Sequence, residues 1–217
     1  MPNMTFTRSL LIAIAAMFLM LSGCQRNSPE ADFWQWFQKN EASLFDFERD
    51  QRVVFDRLSA EMHKVDPSLT FEFGPKQSGQ REFVISADGV RAAFPKVVSL
   101  ASSAPPLPRW KIIKFRPRRE PADIQFHGVT VKAQSVSVEI HPEGEKAGLT
   151  VLIPGYSASQ RQTFGGIAFL LLDQALGEFD VETHVGNVDV RAPLPGDSNA
   201  IPLEALPRAF DAAVLKR

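Results

Sequence analysis

The side chains with most obvious chemical reach lie in one basic run: Lys111, Lys114, Arg116, Arg118 and Arg119. A guanidinium is a planar fork of N–H donors that grips a carboxylate or phosphate through two parallel bonds. Arg116, Arg118 and Arg119 are therefore the expected anion-binding residues. Close to a bilayer, anionic headgroups are one source of such groups. The competing account is a solvated strand end balanced by Glu120 and Asp123. A second cluster is Glu178, Asp180, Glu182 and His184. On a strand, alternate residues share a face about 7 Å apart, and the last three would suit a hard cation or zinc. The same alternation against Val181, Thr183 and Val185 describes an ordinary polar face, and no metal is expected. Glu72, Glu139 and Glu178 are the scattered carboxylates from which a hydrolase could draw an acid–base pair. The chain has no HExxH, no GxSxG and no phosphate-loop glycine pattern. No catalytic residue and no cofactor is assigned.

Cys24 is the one thiol in the chain, so no intramolecular disulfide can form. It ends a leader with three zones: a polar start holding Arg8, an unbroken apolar run over residues 10–21, and Leu21-Ser22-Gly23-Cys24. These are the parts of a secretory signal peptide. Twelve apolar residues reach about 18 Å as a helix, short of a bilayer core of about 30 Å. Leu21 to Cys24 resembles the lipobox of bacterial lipoproteins. The resemblance implies cleavage before Cys24, a diacylglycerol thioether on its sulfur and a fatty amide, such as palmitate, on the new amino group. Several acyl chains on one residue anchor a protein firmly, where one chain anchors it marginally. Gln25 follows the cysteine where an Asp would favour inner-membrane retention. The expected address is the cell envelope, at the outer membrane facing the periplasm if the organism is Gram-negative.

The mature chain from Cys24 has 194 residues, enough for one domain with a proper core or a pair of small units. Arg8 is the one charged residue of the leader. The mature part therefore keeps 23 basic and 25 acidic residues, a balance that gives no reason to expect nucleic acid. Residues 24–31 read as a tether and 32–217 as a single α+β domain. An apolar stripe at spacings of three, four and seven predicts a long amphipathic helix over 32–65, with a break near 40–43. Trp34 and Trp36 lie in its first turns, and a core role is favoured over an exposed binding pair. Asp66-Pro67 ends the helix.

Two runs of alternating apolar residues, 69–73 and 82–86, flank a Gly/Pro/Ser loop and predict a hairpin. A helix over 92–101 and a strand over 110–115 follow. The same order recurs as strands over 135–140 and 149–153, a strongly apolar helix over 160–179 with Ser159 as its N-cap, and a strand over 180–190 with a bulge at Gly186. A short helix over 203–215 closes the chain. Phe71-Glu72-Phe73-Gly74-Pro75 answers Val138-Glu139-Ile140-His141-Pro142, and Phe83-Val84-Ile85-Ser86 answers Val151-Leu152-Ile153-Pro154. The expected fold is thus α+β, a mostly antiparallel sheet from two strand-strand-helix-strand units over 66–119 and 133–192, with an internal duplication as one account of the repeat.

Five stretches occur together: Trp34-Gln35-Trp36-Phe37, Phe71-Glu72-Phe73-Gly74-Pro75, Phe83-Val84-Ile85-Ser86-Ala87-Asp88-Gly89, Ile112-Ile113-Lys114-Phe115-Arg116-Pro117-Arg118 and Leu172-Asp173-Gln174-Ala175-Leu176-Gly177-Glu178. The combination resembles a family of uncharacterised bacterial proteins. The resemblance spans most of the mature chain and implies one globular unit and no particular activity. The functional expectation is a non-catalytic binding or interaction module, held to a membrane through lipid on Cys24 and meeting a protein or small-molecule ligand. The alternatives are an envelope hydrolase built on carboxylates and a lipidated immunity or inhibitor protein.

Overall fold

The computed structural model describes residues 27–214. The expected signal peptide and lipobox, with Cys24, lie outside the described residues. The fold is α+β. Ser28 opens helix α1 (Pro29–Phe45): its hydroxyl accepts the Ala31 N–H at 3.2 Å, Pro29 occupies the first turn, and Glu30 and Asp32 face the positive end of the helix dipole. The expected long helix is broken, beyond the anticipated 40–43, by a 3₁₀ turn at Phe47–Arg49 before α2 (Gln51–His63). Aromatic contact sets the break. Phe47 leaves the helical track to pack against Phe55 and Phe73, with ring centroids 4.8 and 5.5 Å away.

Strands β1 (Thr70–Phe73) and β2 (Arg81–Ser86) form the expected hairpin, with Phe71 opposite Ile85 and Phe73 opposite Phe83. Helix α3 (Phe94–Ser102) carries the chain across to β3 (Trp110–Lys114), which lies parallel to β2. A small hairpin, β4 (Ile124–Phe126) and β5 (Val129–Val131), turns through His127 and Gly128, both at positive φ. The second hairpin is β6 (Ser137–Glu143) with β7 (Lys146–Leu152). Helices α4 (Arg161–Leu176) and α5 (Glu178–His184) then lead to β8 (Val185–Arg191), parallel to β7. A two-residue β9 (Ile201–Pro202) pairs with β6, and α6 (Leu206–Val214) closes the chain.

Both halves therefore share one connectivity: a hairpin, a helical crossover, and a third strand parallel to the second. Most strand pairings are antiparallel, as expected; the two parallel ones, β2 with β3 and β7 with β8, arise because a helix between strands returns the chain in its original direction. The register also corrects the sequence match between the hairpins. Phe71 and Phe73 lie opposite Ile85 and Phe83, as Val138 and Ile140 lie opposite Val151 and Leu149. The equivalence with Val151 and Ile153 is thus two residues out, a slip that keeps every side chain on its proper face. The bulge expected at Gly186 is present: three residues of β7, from Ala147 to Leu149, are matched by four of β8, from Val185 to Val188.

Each half has its own core. The first gathers Phe33, Trp34, Phe37, Phe83 and Trp110, with the Trp34 indole N–H donating to the Leu100 carbonyl at 2.8 Å. Trp34 is core, and Trp36 lies partly buried at its edge. The second is aliphatic, built on Leu149, Val151, Ile167, Leu171 and Leu172. Among the described residues no helix is long and apolar enough to cross a membrane.

Candidate functional site

The two lobes meet along the segment that leaves β3. Phe115, at φ 63°, turns the chain out of the sheet, and its ring packs against Phe94 of the first lobe and Phe179 of the second at 4.5 and 5.3 Å. A bulky residue adopts that backbone region only where its surroundings enforce it. The basic residues follow, bridging lobes. The Arg119 N–H donates to the Gln174 carbonyl at 2.7 Å, and Arg118 Nε to the Leu176 carbonyl at 2.9 Å.

Glu178 is the centre of the junction. It has no exposed surface, yet its carboxylate accepts three backbone N–H groups: Ala87 at 3.0 Å, Gly89 at 3.3 Å and Arg116 at 3.1 Å. Gly177 makes the approach feasible. It sits at φ 79°, ψ 151°, and a Cβ there would lie 3.0 Å from the Arg116 carbonyl oxygen and 3.1 Å from the Arg118 nitrogen.

Above this latch is a cleft of about 500 Å³, lined from both lobes. Its charged groups are Glu72, Asp88, Arg116, Arg119, Glu120 and Asp173. The Arg116 guanidinium organises them, with Nε to Glu72 at 2.7 Å, one terminal nitrogen to Asp88 at 2.5 Å, and the other to Asp173 at 3.4 Å. Burial works against its charge, but Asp88, Glu72 and Glu178 raise its affinity for the proton above the ordinary arginine value. Asp173 stands the other way. Burial pushes its carboxyl up to about 6; Arg116 opposes the rise, while Glu178, Glu182 and Asp88 add to it. Burial, reinforced by Glu178, also raises Glu182.

The three arginines expected to hold an anion are all engaged by the protein's own carboxylates. Arg116 holds Glu72, Asp88 and Asp173; Arg118 bridges Asp180 at 2.6 Å and Asp211 at 2.7 Å; Arg119 meets Glu82 at 3.0 Å. They mortar the lobes together, and Arg116 and Arg119 alone line the cleft.

The acidic cluster of the second lobe is arranged differently from its sequence expectation. Residues 178–184 are helix α5, with Glu178 buried among backbone N–H donors at its start. On a helix only i, i+3 and i+4 are neighbours. Asp180 and His184 accordingly stay together at 3.1 Å, while Glu182 lies near Gly89 instead. Among the described residues no group of three His, Cys, Asp or Glu is placed to hold a metal ion. Of the candidate hydrolytic carboxylates, Glu72 and Glu178 flank Arg116, whereas Glu139 pairs with Arg191 at 3.2 Å in the second sheet. Sequence reasoning missed Asp88 and Asp173. Asp88 lies in a turn at positive φ, and Asp173 looks like a solvated position on an apolar helix. The Ser159 hydroxyl meets Ser157 at 2.8 Å, and α4 is entered through Gln160 without a side-chain cap.

Comparison of the chain with family models, with curated proteins and with solved structures finds no match.

Proposed function

We propose that this chain is a membrane-anchored envelope lipoprotein that works as a non-catalytic binding module, its ligand seated in the cleft where the lobes meet. The observation that carries this reading is the cleft itself. It is of ligand size, and it combines convergent charged groups with an apolar wall of Leu170, Pro117 and Ala122. It also lies at a junction between structural units, where ligand sites concentrate. The anchor rests on Leu21 to Cys24. Only three residues lie between Cys24 and the α1 cap at Ser28, four steps of chain and a reach of about 14 Å at most. A lipid on Cys24 would therefore hold the first lobe against the headgroups.

The test is a thermal-shift screen of the full chain in detergent against amines, amino acids, carboxylates and sugars, repeated with Ala122→Arg, which fills the cleft. A ligand that raises the melting temperature of the wild type and not of the variant supports the reading. A panel without any such compound, or shifts that survive the blockade, would reject it.

A carboxylate hydrolase is the second reading, favoured by one observation: Asp173, whose carboxyl burial pushes up to about 6, shares the cleft with Glu72 and Asp88. Turnover of a cleft-binding compound, abolished by Asp173→Asn, would replace the binding reading with this one.

A further inference from the structure

Helix α3 turns two unlike faces outward and inward. Phe94, Val97 and Leu100 are buried in the first core, while Pro95, Lys96, Val98 and Ser99 are exposed. Residues 89–103 carry Arg91 and Lys96 and no acidic residue. Among the described residues seven large apolar side chains are exposed, and three of them border this helix. Val90, 45% exposed, lies just before its entry turn, and Val98, 41% exposed, lies on it. Phe179, 44% exposed, has its ring 6.1 Å from that of Phe94. Exposed apolar side chains flanked by cations suit an element that lies in a headgroup layer.

The same helix stands beside the point where the chain enters the fold. The Ser99 hydroxyl donates to the Glu30 carboxylate, in the first turn of α1, at 2.8 Å. Ser28 caps that turn, and Cys24 is four steps of chain before it, a reach of about 14 Å at most. A bilayer holding a lipid on Cys24 is therefore within reach of α3.

We propose that the outer face of α3 is seated on the phospholipid surface, with Val98 among the headgroups and Arg91 and Lys96 against anionic lipid. This rests on the lipid-anchor reading and gives it an orientation. Alternation along β1 puts Phe71 and Phe73 on the face of the first sheet that α1 and α3 cover, and Glu72 on the other face, at the cleft. A chain lying on α3 thus holds its cleft open away from the bilayer.

The experiment uses the full acylated chain in vesicles of phosphatidylethanolamine and phosphatidylglycerol. Cys24 is the one native thiol, so with its sulfur acylated an introduced cysteine is the single labelling site. A nitrobenzoxadiazole fluorophore is placed at Val98→Cys and, in a second chain, at Lys111→Cys. Lys111 is exposed beside Glu82, its register partner, on the face of the first sheet away from α3. Nitroxide carried on the lipid headgroups should quench the Val98 label several-fold more than the Lys111 label. Arg91→Gln and Lys96→Gln, added to the Val98→Cys chain, should lower the docked-to-undocked ratio roughly fivefold for each charge removed. The acyl chains should keep that variant floating with the vesicles. Equal quenching at the two positions, in chains that float, would overturn the docking face and leave the anchor standing. Chains that do not float would overturn the anchor and the docking face with it. Quenching at Val98 that both substitutions leave unchanged would overturn the assignment of Arg91 and Lys96 to anionic lipid. Self-quenching of the Val98 label that rises with protein density, without nitroxide quenching, would give the face to a second copy of the chain instead.

Discussion

Glu178 and Arg116 hold each other by the backbone. The Glu178 N–H donates to the Arg116 carbonyl at 3.0 Å, and the Arg116 N–H returns a bond to the Glu178 carboxylate at 3.1 Å. The pair joins the start of α5 in the second lobe to the first residue after Phe115 in the first, across 62 positions of sequence. With Ala87 and Gly89 also donating, one buried carboxylate satisfies three N–H groups that would otherwise be stranded between two cores.

Glu178→Gln tests that latch. An amide has one acceptor oxygen, and its NH₂ turned toward backbone donors leaves at least one of them unpaired, at a cost of about 2–4 kcal/mol. Because each lobe has its own core, the denaturant unfolding curve should lose midpoint and split into two transitions. One unshifted transition would show that the lobes do not depend on Glu178.

Asp173 gives a pH dependence with a definite sign. Its carboxyl lies at about 6 in the folded chain against an ordinary 3.8, so the folded state binds the proton more tightly than the unfolded one. That contribution is complete below pH about 4 and is lost as pH rises through 6. Asp173→Asn abolishes it. The variant should be close to wild type at pH 4.5 and more stable by about 1–3 kcal/mol at pH 7.5. Urea midpoints at the two pH values measure the difference, and a variant equally displaced at both would remove the explanation.

Gly177→Ala should destabilise the chain by about 2–3 kcal/mol. Alanine is strained at φ 79°, ψ 151°, and its Cβ would press on the Arg116 and Arg118 backbone. Gly165→Ala in α4, where a Cβ meets nothing, should instead be neutral or stabilising. Equal melting temperatures for the two variants would contradict the close approach.

Leu171 is wholly buried in the second core. Leu171→Asp places an unpartnered charge there and should cost several kcal/mol. Unchanged thermal denaturation would mean that this face of α4 is not the packed one.

Cys24→Ser tests the anchor. Wild type is expected to pellet with membranes and carry acyl mass on a chain starting at residue 24. The variant is expected to lose both, and its retention of acyl mass would dismiss the lipobox.

The sequence by itself determined most of the local structure. Period-two runs marked both hairpins, and apolar residues at helical spacing marked α1, α2 and α4. These signals are local because a strand or helix shows its buried face in the order of its own residues. The tertiary structure alone decided the rest. Parallel pairing of β3 and β8 depends on how a crossover helix returns the chain, which periodicity does not encode. Residues 178–184 alternate like a strand, yet they coil as α5 because Gly177 and the backbone donors of the other lobe fix Glu178 at a helix start. The arginines of 116–119 read as a free basic edge. Their carboxylate partners come from positions 28 to 93 residues away: pairing of β3 beside β2 brings Glu72, Glu82 and Asp88 within reach, and docking of the second core brings Asp173, Asp180 and Asp211.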